Sequence, residues 1–209
     1  MALPRDNPNA ATDAVAAEIK KMGSKELAAL PDLDGGDLQL IGTLIQYFSF
    51  MDLNLRRALE AFHAEKMLPK EYVKLWPDSL PDSKLTEALG AIVKGMDPEK
   101  EKIEESLIWI QVIDSTRLKR NLVGHFAGKR YNGHDVYVFA SKSNRDAKKV
   151  LGAELGQNEV HLVVMPRLAF AEMVESAKNA HEWLAKKVPE WNERYRKKPG
   201  SISISSLSS

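Results

Sequence analysis

A long helical repeat of apolar residues is the feature that most constrains the fold of this chain. Within residues 34–66 the apolar side chains recur at spacings of three, four and seven, at Ile41, Leu44, Ile45, Phe48, Leu55, Leu59 and Phe62. This spacing is typical of the apolar face of an amphipathic helix, with Asp34 or Asp37 as its N-terminal cap. At about 1.5 Å per residue the helix is on the order of 40 Å long. Because a helix of that length needs other long helices to cover its apolar face, the pattern predicts a helical bundle.

A second long apolar segment covers residues 97–127, DPEKEKIEESLIWIQVIDSTRLKRNLVGHFA. We expect Asp97 to cap this helix and Pro98 to take its first position. Its hydrophobic side chains lie on more than one side, which is typical of a helix that is central or that also packs against a partner. A last helix is predicted over residues 167–197 and is expected to be kinked or broken at Pro189.

Two segments after the second long helix change from helical spacing to alternation. One carries Val136, Val138 and Ala140 and the other carries Val160, Leu162 and Val164, and a short helix is predicted between them over residues 143–156. Alternation of this kind predicts strands. The expected fold class is therefore mainly α, an up-and-down helical bundle with a small two-stranded antiparallel β-hairpin. We divide the chain into an N-terminal extension of short helices without core elements (1–33), a helical domain (34–198) and a disordered Ser-rich tail (199–209).

Composition and motifs argue against several classes of function. The chain has 209 residues, a net charge of +1 and no cysteine, so thiolate metal sites and cysteine nucleophiles are excluded and broad electrostatic capture of nucleic acid is not expected. It contains no glycine-rich phosphate loop and no paired-histidine spacing, and we expect neither a metal nor a cofactor. No segment is long and apolar enough to span a bilayer and no signal peptide is present, which leads us to expect a cytoplasmic protein without a membrane partner.

Polar residues interrupt the end of the second long helix. The stretch RNLVGH, residues 120–125, places Arg120, Asn121 and His125 within about one and a half turns of an otherwise apolar segment. In this order and position the three residues resemble the motif of the HEPN superfamily of helical, nucleic-acid-associated domains: an arginine, a polar residue, and a histidine separated from the arginine by four to six intervening residues, on a late long helix of a bundle. The resemblance covers roughly residues 34–198.

The resemblance implies metal-independent cleavage of RNA by a homodimer whose motif-bearing helices meet, with Arg120, Asn121 and His125 as catalytic residues. It also implies a toxin or antiviral defence component, which in this superfamily is often paired with an antitoxin protein. The chemistry is consistent with these side chains. Histidine can take the proton of the RNA 2′-hydroxyl or protonate the leaving 5′-oxygen. Arginine can stabilise the charge on the phosphate, and asparagine can orient either group.

The helical geometry complicates a site within one protomer. Five residues on an ideal helix turn by about 500°, so Arg120 and His125 point about 140° apart. We expect Gly124 to loosen or end the helix, or Arg120 of one protomer to meet His125 of the other. Three alternatives remain. In the first, the motif is only a helix end, with Arg120 and His125 interacting with the last carbonyls. In the second, the chain is a catalytically inactive dimeric RNA-binding or scaffold module, and in the third, Arg120 and Lys129 bind a nucleotide or another small ligand.

Two further features have open interpretations. Asp52 interrupts the apolar face of the first long helix, and it either forms a surface salt bridge with Arg56 or is a partner that holds Arg120. Lys129, Arg130 and Tyr131 directly follow the motif, and they form either an RNA-binding edge with two cations and a stacking ring or a solvated loop.

Overall fold

The chain is mainly helical with one small antiparallel sheet. The computed structural model describes residues 8–76, 80–98, 101–131, 133–143, 145, 148 and 160–195. Its helices are α1 (Pro8–Ile19), α2 (Ser24–Ala28), α3 (Gly35–Ala64), α4 (Lys70–Val73), α5 (Asp82–Lys94), α6 (Ile103–His125) and α7 (Arg167–Tyr195), and its strands are β1 (Ala127–Arg130), β2 (Val136–Ser141) and β3 (His161–Pro166). Most of the helix predicted over residues 143–156 and the whole Ser-rich tail lie outside the described residues.

The first long helix is confirmed, and both of its ends have a local cause. At the start, the Asp34 carboxylate accepts a hydrogen bond from the Asp37 amide at 2.8 Å, and the Asp37 carboxylate accepts one from the Asp34 amide at 3.0 Å. This reciprocal pair satisfies two amides that a helix start leaves without partners. At the end, Lys66 has a positive φ of 59°, and the Met67 amide donates to the Phe62 carbonyl at 2.8 Å. The left-handed residue therefore stops α3 in a Schellman-like turn.

The second long helix begins later than predicted. The sequence placed its start at Asp97 and Pro98, whereas α6 begins at Ile103. Asp97 accepts a hydrogen bond from the Glu101 amide at 3.0 Å, which makes one isolated turn ahead of the helix. The Glu101 carboxylate is fully buried and accepts a hydrogen bond from the Ser106 hydroxyl at 2.8 Å. A buried carboxylate needs several partners, so the partners of Glu101 outweigh the N-terminal helix signal at Pro98.

The structure divides into two compact units, and the boundaries fall inside α3, α6 and α7. The first unit comprises Met1–Ser49 and Val112–Ala180, and the second comprises Phe50–Gln111 and His181–Ser209. Among the described helices, none combines the length and the apolar character that crossing a membrane requires. The last helix continues through Pro189 to Tyr195, so the predicted break at that proline is wrong.

The sheet of the first unit has three strands in the order β1-β2-β3, with antiparallel pairing throughout. The two predicted strands are confirmed as β2 and β3. The prediction of a two-stranded hairpin is wrong, because β1 is a third strand of the sheet. Residues 127–130, AGKR, lack the alternating apolar pattern of a strand. These residues form a strand because they pair with β2. Ala127 lies opposite Ala140, and Arg130 lies opposite Tyr137. At Gly128 the approach is close, since an added Cβ would lie 2.9 Å from the Leu33 Cδ1 atom.

Both faces of β2 are buried. Val136 and Val138 belong to a core cluster that also contains Val15 and Ile19 of α1, together with Leu27 and Leu30 of the segment around α2. On the alternate positions, Tyr137 packs edge-to-face against Phe170 of α7 and Phe139 packs against the same ring at a tilt, with ring centroids 5.3 and 6.3 Å apart. The N-terminal extension, which was predicted to lack core elements, therefore contributes buried residues, and it belongs to the same compact unit as the start of α3.

The second unit has its own core and a buried acidic residue. Phe62 of α3 packs against Trp191 of α7 with ring centroids 5.7 Å apart. The Glu101 carboxylate accepts hydrogen bonds from Lys187 at 3.1 Å, from the Trp191 indole at 3.1 Å and from Arg194 at 3.2 Å. Burial alone would raise the pKa of Glu101, but the hydrogen bonds from Ser106, Lys187 and Trp191 and the Lys187 charge lower it below its ordinary value. This ionised carboxylate therefore ties the segment before α6 to α7.

Candidate functional site

The predicted motif occupies the last turn and a half of α6. His125 is the last residue of the helix, as its position after Gly124 suggested. The Phe126 amide still donates to the Leu122 carbonyl at 3.0 Å, and β1 begins one residue later. Asn121 is buried, with 4% of its surface exposed, whereas His125 is exposed. The motif thus ranges from the core at Asn121 to the surface at His125.

Arg120 is half-buried and held in place by an aromatic ring and an amide. Its guanidinium carbon lies 5.6 Å from the centroid of the Phe48 ring, within the distance at which a cation–π attraction operates. One guanidinium nitrogen donates to the Asn121 side-chain oxygen at 3.2 Å. Within the part of the chain that the structure describes, no carboxylate forms an ion pair with Arg120. The site therefore contains a positioned positive charge that no acid among the described residues neutralises.

Arg120 and His125 leave the helix in different directions. Because α6 is helical from Ile103 through His125, five residues of regular helix separate the two side chains by about 140° of rotation. Both residues lie in the first unit. Arg120 and His125 of one chain therefore lie on different sides of α6, so both side chains cannot contact one phosphate from the same side of the helix. That one protomer supplies only part of a two-residue site stays a prediction.

The residues that follow the motif are paired with acids of the same chain. The Lys129 ammonium lies 2.7 Å from the Asp32 carboxylate, and the Tyr131 hydroxyl donates to Glu18 at 3.0 Å. Arg130 forms a 2.9 Å ion pair with Asp135 in addition to its contacts with Asp37, described below. Lys129 and Arg130 belong to β1 and Tyr131 directly follows it, so the alternative of a solvated loop is wrong. RNA binding by these three side chains stays a prediction, and an RNA would have to compete with these contacts.

A buried carboxylate anchors β1 and was not predicted as part of the site. One oxygen of Asp37, which is fully buried, accepts hydrogen bonds from the Tyr137 hydroxyl at 2.8 Å, from Arg130 at 3.0 Å and from Arg167 at 3.1 Å. The other oxygen accepts from Arg130 at 3.0 Å and from the Asp34 amide at 3.0 Å. The start of α3 is thereby joined to β1, β2 and the first residue of α7. We call Asp37, Arg130, Tyr137 and Arg167 the Asp37 cluster.

The pKa values in the Asp37 cluster follow from burial and hydrogen bonding. Burial alone would raise the pKa of Asp37, but the hydrogen bonds from Tyr137, Arg130 and the Asp34 amide lower it to about 2. Burial and the neighbouring Asp37 charge raise the pKa of Tyr137 to about 12. Asp37 is therefore ionised and Tyr137 is neutral near pH 7. The DLDGGD stretch identified Asp37 as a cap, but only the fold brings the two arginines to it.

Asp52 forms a salt bridge with Arg56, which is one of the two roles considered for it from the sequence. Its carboxylate lies 3.0 Å from the Arg56 guanidinium, one helical turn further along α3, and Arg56 also contacts Asp82. This arrangement confirms the Asp52–Arg56 pair. A role for Asp52 in holding Arg120 has no supporting contact among the described residues. Exposed pairs of this kind contribute little to stability, on the order of 0.5 kcal/mol.

No group of three or more histidine, aspartate or glutamate side chains within the described ranges is arranged to hold a metal ion. In comparisons with known proteins, no family model, no curated protein and no solved structure matches this chain.

Proposed function

We propose that this chain is an endoribonuclease of the HEPN type, in which the motifs of two protomers form one site for metal-independent cleavage of RNA. The observation that carries the proposal is the environment of the Arg120 guanidinium group. Its charge has no acidic partner among the described residues, and Asn121 and Phe48 orient it at the end of α6. A positioned, unneutralised arginine is suited to bind two oxygens of a phosphate. His125, exposed at the same helix end, supplies the group for proton transfer.

The cleavage step needs no reactant besides RNA and the two side chains. The 2′-hydroxyl loses its proton to one His125 and its oxygen bonds to phosphorus. The bond from phosphorus to the 5′-oxygen breaks, and this oxygen takes a proton from the other His125. The products are a 2′,3′-cyclic phosphate and a 5′-hydroxyl. Arg120 stabilises the negative charge that builds on the phosphate oxygens.

Exposed apolar residues on α6 support a homodimer. Ile108 is 60% exposed and Leu118 is 38% exposed, and both are large apolar side chains of α6. Large apolar side chains in contact with water favour burial against a partner. Because Arg120 and His125 diverge by about 140° within one helix, a second copy of α6 is a simple way to bring an arginine to a histidine. We expect Leu118→Glu to weaken the dimer, as measured by light scattering after size-exclusion chromatography.

The ribonuclease proposal is tested by incubating the purified protein with labelled single-stranded RNA in EDTA. We expect cyclic-phosphate products from the wild type and a loss of rate of roughly 10²- to 10⁴-fold in His125→Ala and in Arg120→Ala, which remove the proton-transfer group and the phosphate-binding charge. Lys119→Ala is the matched control, because Lys119 is an exposed cation next to Arg120 on the same helix. Cleavage that survives both motif substitutions contradicts the proposal.

A catalytically inactive dimeric scaffold is the second candidate. It is favoured by the pairing of Lys129, Arg130 and Tyr131 with acids of the same chain, which occupies the basic edge beside the motif. A wild-type protein that is a dimer in solution and leaves RNA intact in the cleavage assay supports this candidate. If the cleavage depends on the motif, the candidate is excluded.

A further inference from the structure

A cavity in the second unit lies between the C-terminal parts of α3 and α7. Its volume is about 550 Å³, which is within the range of pockets that hold small molecules. Apolar walls come from Phe62, Val188 and Trp191. All of its lining residues belong to the second unit, whereas Arg120 and His125 belong to the first, so this cavity is separate from the proposed ribonuclease site.

Two polar groups at the wall of the cavity lack their usual hydrogen bonds. The Tyr195 hydroxyl is buried and has no partner within the described residues. Pro189 lies inside α7 and has no amide hydrogen, so it cannot donate to the carbonyl of Ala185 one turn earlier. Ala185, Pro189 and Tyr195 all line the cavity. A ligand that donates a hydrogen bond would supply the Ala185 carbonyl with the donor that Pro189 lacks.

The charged side chains around the cavity favour a positively charged ligand. Glu60, Glu65 and Arg57 all line it, and their side chains form no ion pair and no hydrogen bond with any described residue. Two carboxylates and one guanidinium leave the lining with an excess of one negative charge. The Ala185 carbonyl adds another acceptor. A group that donates hydrogen bonds and carries a positive charge matches this set.

The aromatic residues of the cavity favour an apolar body on the same ligand. Phe62 and Tyr195 both line the cavity, and their ring centroids are 6.2 Å apart. Aromatic faces attract cations and pack against apolar surfaces. We propose that this cavity binds a small organic cation, in which an ammonium group contacts Glu60, Glu65 and the Ala185 carbonyl while an apolar body packs against Phe62 and Tyr195.

The charge of the ligand is tested with three probes of similar size. The full-length protein is titrated by calorimetry at pH 7 with 2-phenylethylammonium, 2-phenylethanol and 3-phenylpropionate. We expect the cation to bind about five- to tenfold more tightly than the alcohol, since partly exposed charge pairs of this kind have modest energies, and we expect the carboxylate to bind most weakly. Equal affinities for the three probes, tightest binding of the carboxylate, or no binding of any probe at millimolar concentration would each overturn the proposal.

The position of the site is tested with substitutions in the same titration. We expect the double variant Glu60→Gln, Glu65→Gln to weaken binding of the cation about five- to tenfold and to leave the alcohol unaffected. Glu182→Gln, an exposed acid of α7 outside the cavity lining, is the matched control and should bind as the wild type does. Arg57→Ala removes a like charge and should tighten binding of the cation. Weaker binding in Arg57→Ala, or unchanged binding in the double variant, contradicts the proposed ligand class.

Discussion

Replacing Asp37 by asparagine should destabilise the first unit far more than the replacement of an exposed aspartate on the same surface. The substitution keeps the size of the side chain but removes the negative charge that two guanidinium groups share, from Arg130 at 3.0 Å and from Arg167 at 3.1 Å. Asparagine also has an NH₂ group, which cannot accept the hydrogen bonds that one carboxylate oxygen now receives. The variant therefore leaves donors of the Asp37 cluster without an acceptor, among the buried Tyr137 hydroxyl and the partly exposed Arg130 and Arg167 guanidinium groups.

The magnitude follows from the pKa of the buried carboxyl. A pKa of about 2 in the folded protein, against an ordinary value of 3.8, corresponds to about 2 kcal/mol of stability above pH 4, since each pKa unit is worth about 1.4 kcal/mol. Removing one partner of a buried ion pair typically costs roughly 3–5 kcal/mol. We therefore expect Asp37→Asn to lower the free energy of unfolding by about 2–4 kcal/mol at pH 7.

Urea denaturation followed by circular dichroism measures this loss. Asp32→Asn is the control, because Asp32 pairs with Lys129 but its side chain is 89% exposed, and we expect a loss below about 1 kcal/mol. The folded-state pKa of Asp37 is depressed, so its contribution is present above the unfolded value of 3.8 and is lost as the pH falls towards 2. The wild type and Asp37→Asn should therefore converge in that window. If Asp37→Asn is as stable as Asp32→Asn at pH 7, the reasoning is refuted.

The other predictions are also tested by denaturation. Gly128→Val should destabilise by about 1–3 kcal/mol, because its Cβ would already lie 2.9 Å from Leu33, and an unchanged midpoint would show that the approach relaxes freely. Gly42→Ala should instead stabilise by roughly 0.5–1 kcal/mol, since this helical glycine has open space around it, and a loss of stability would contradict that geometry. Glu101→Gln should cost about 3 kcal/mol, because it leaves Lys187 beside a neutral group in a buried position, and a loss below 1 kcal/mol would count against an ionised Glu101.

The helices could be predicted from the sequence because their signals are local. The apolar face of α3 repeats every three to four residues, and Asp34 and Asp37 form a cap within one turn. The start of α6 could not be predicted in the same way, since Glu101 is held by Lys187, 86 residues further along the chain. Strand β1 has no strand pattern of its own and depends on its pairing with β2. In both of these errors a distant contact outweighs a local preference.

In the candidate site, too, some features follow from neighbouring residues and others depend on distant contacts. The position of the motif at the end of α6 and the divergence of Arg120 and His125 follow from the helical repeat alone. The neutral partner of Arg120 is also local, because Asn121 is the next residue. The role of Lys129 is not local, since its acidic partner Asp32 lies 97 residues away in the sequence. A basic run beside a motif therefore says little about RNA binding until the partners of its charges are known.

By itself, the sequence determined the helical character of this protein, both ends of α3 and the place of the motif on α6, because these depend on residues within a few positions of each other. Tertiary structure decided which charges are paired with groups far away in the chain. Arg130 is paired with the buried Asp37, while Arg120 lies against Phe48 without an acid among the described residues. The physical reason is that the state of a charge depends on what lies within about 4 Å of it, and the fold brings together groups that are far apart in the chain.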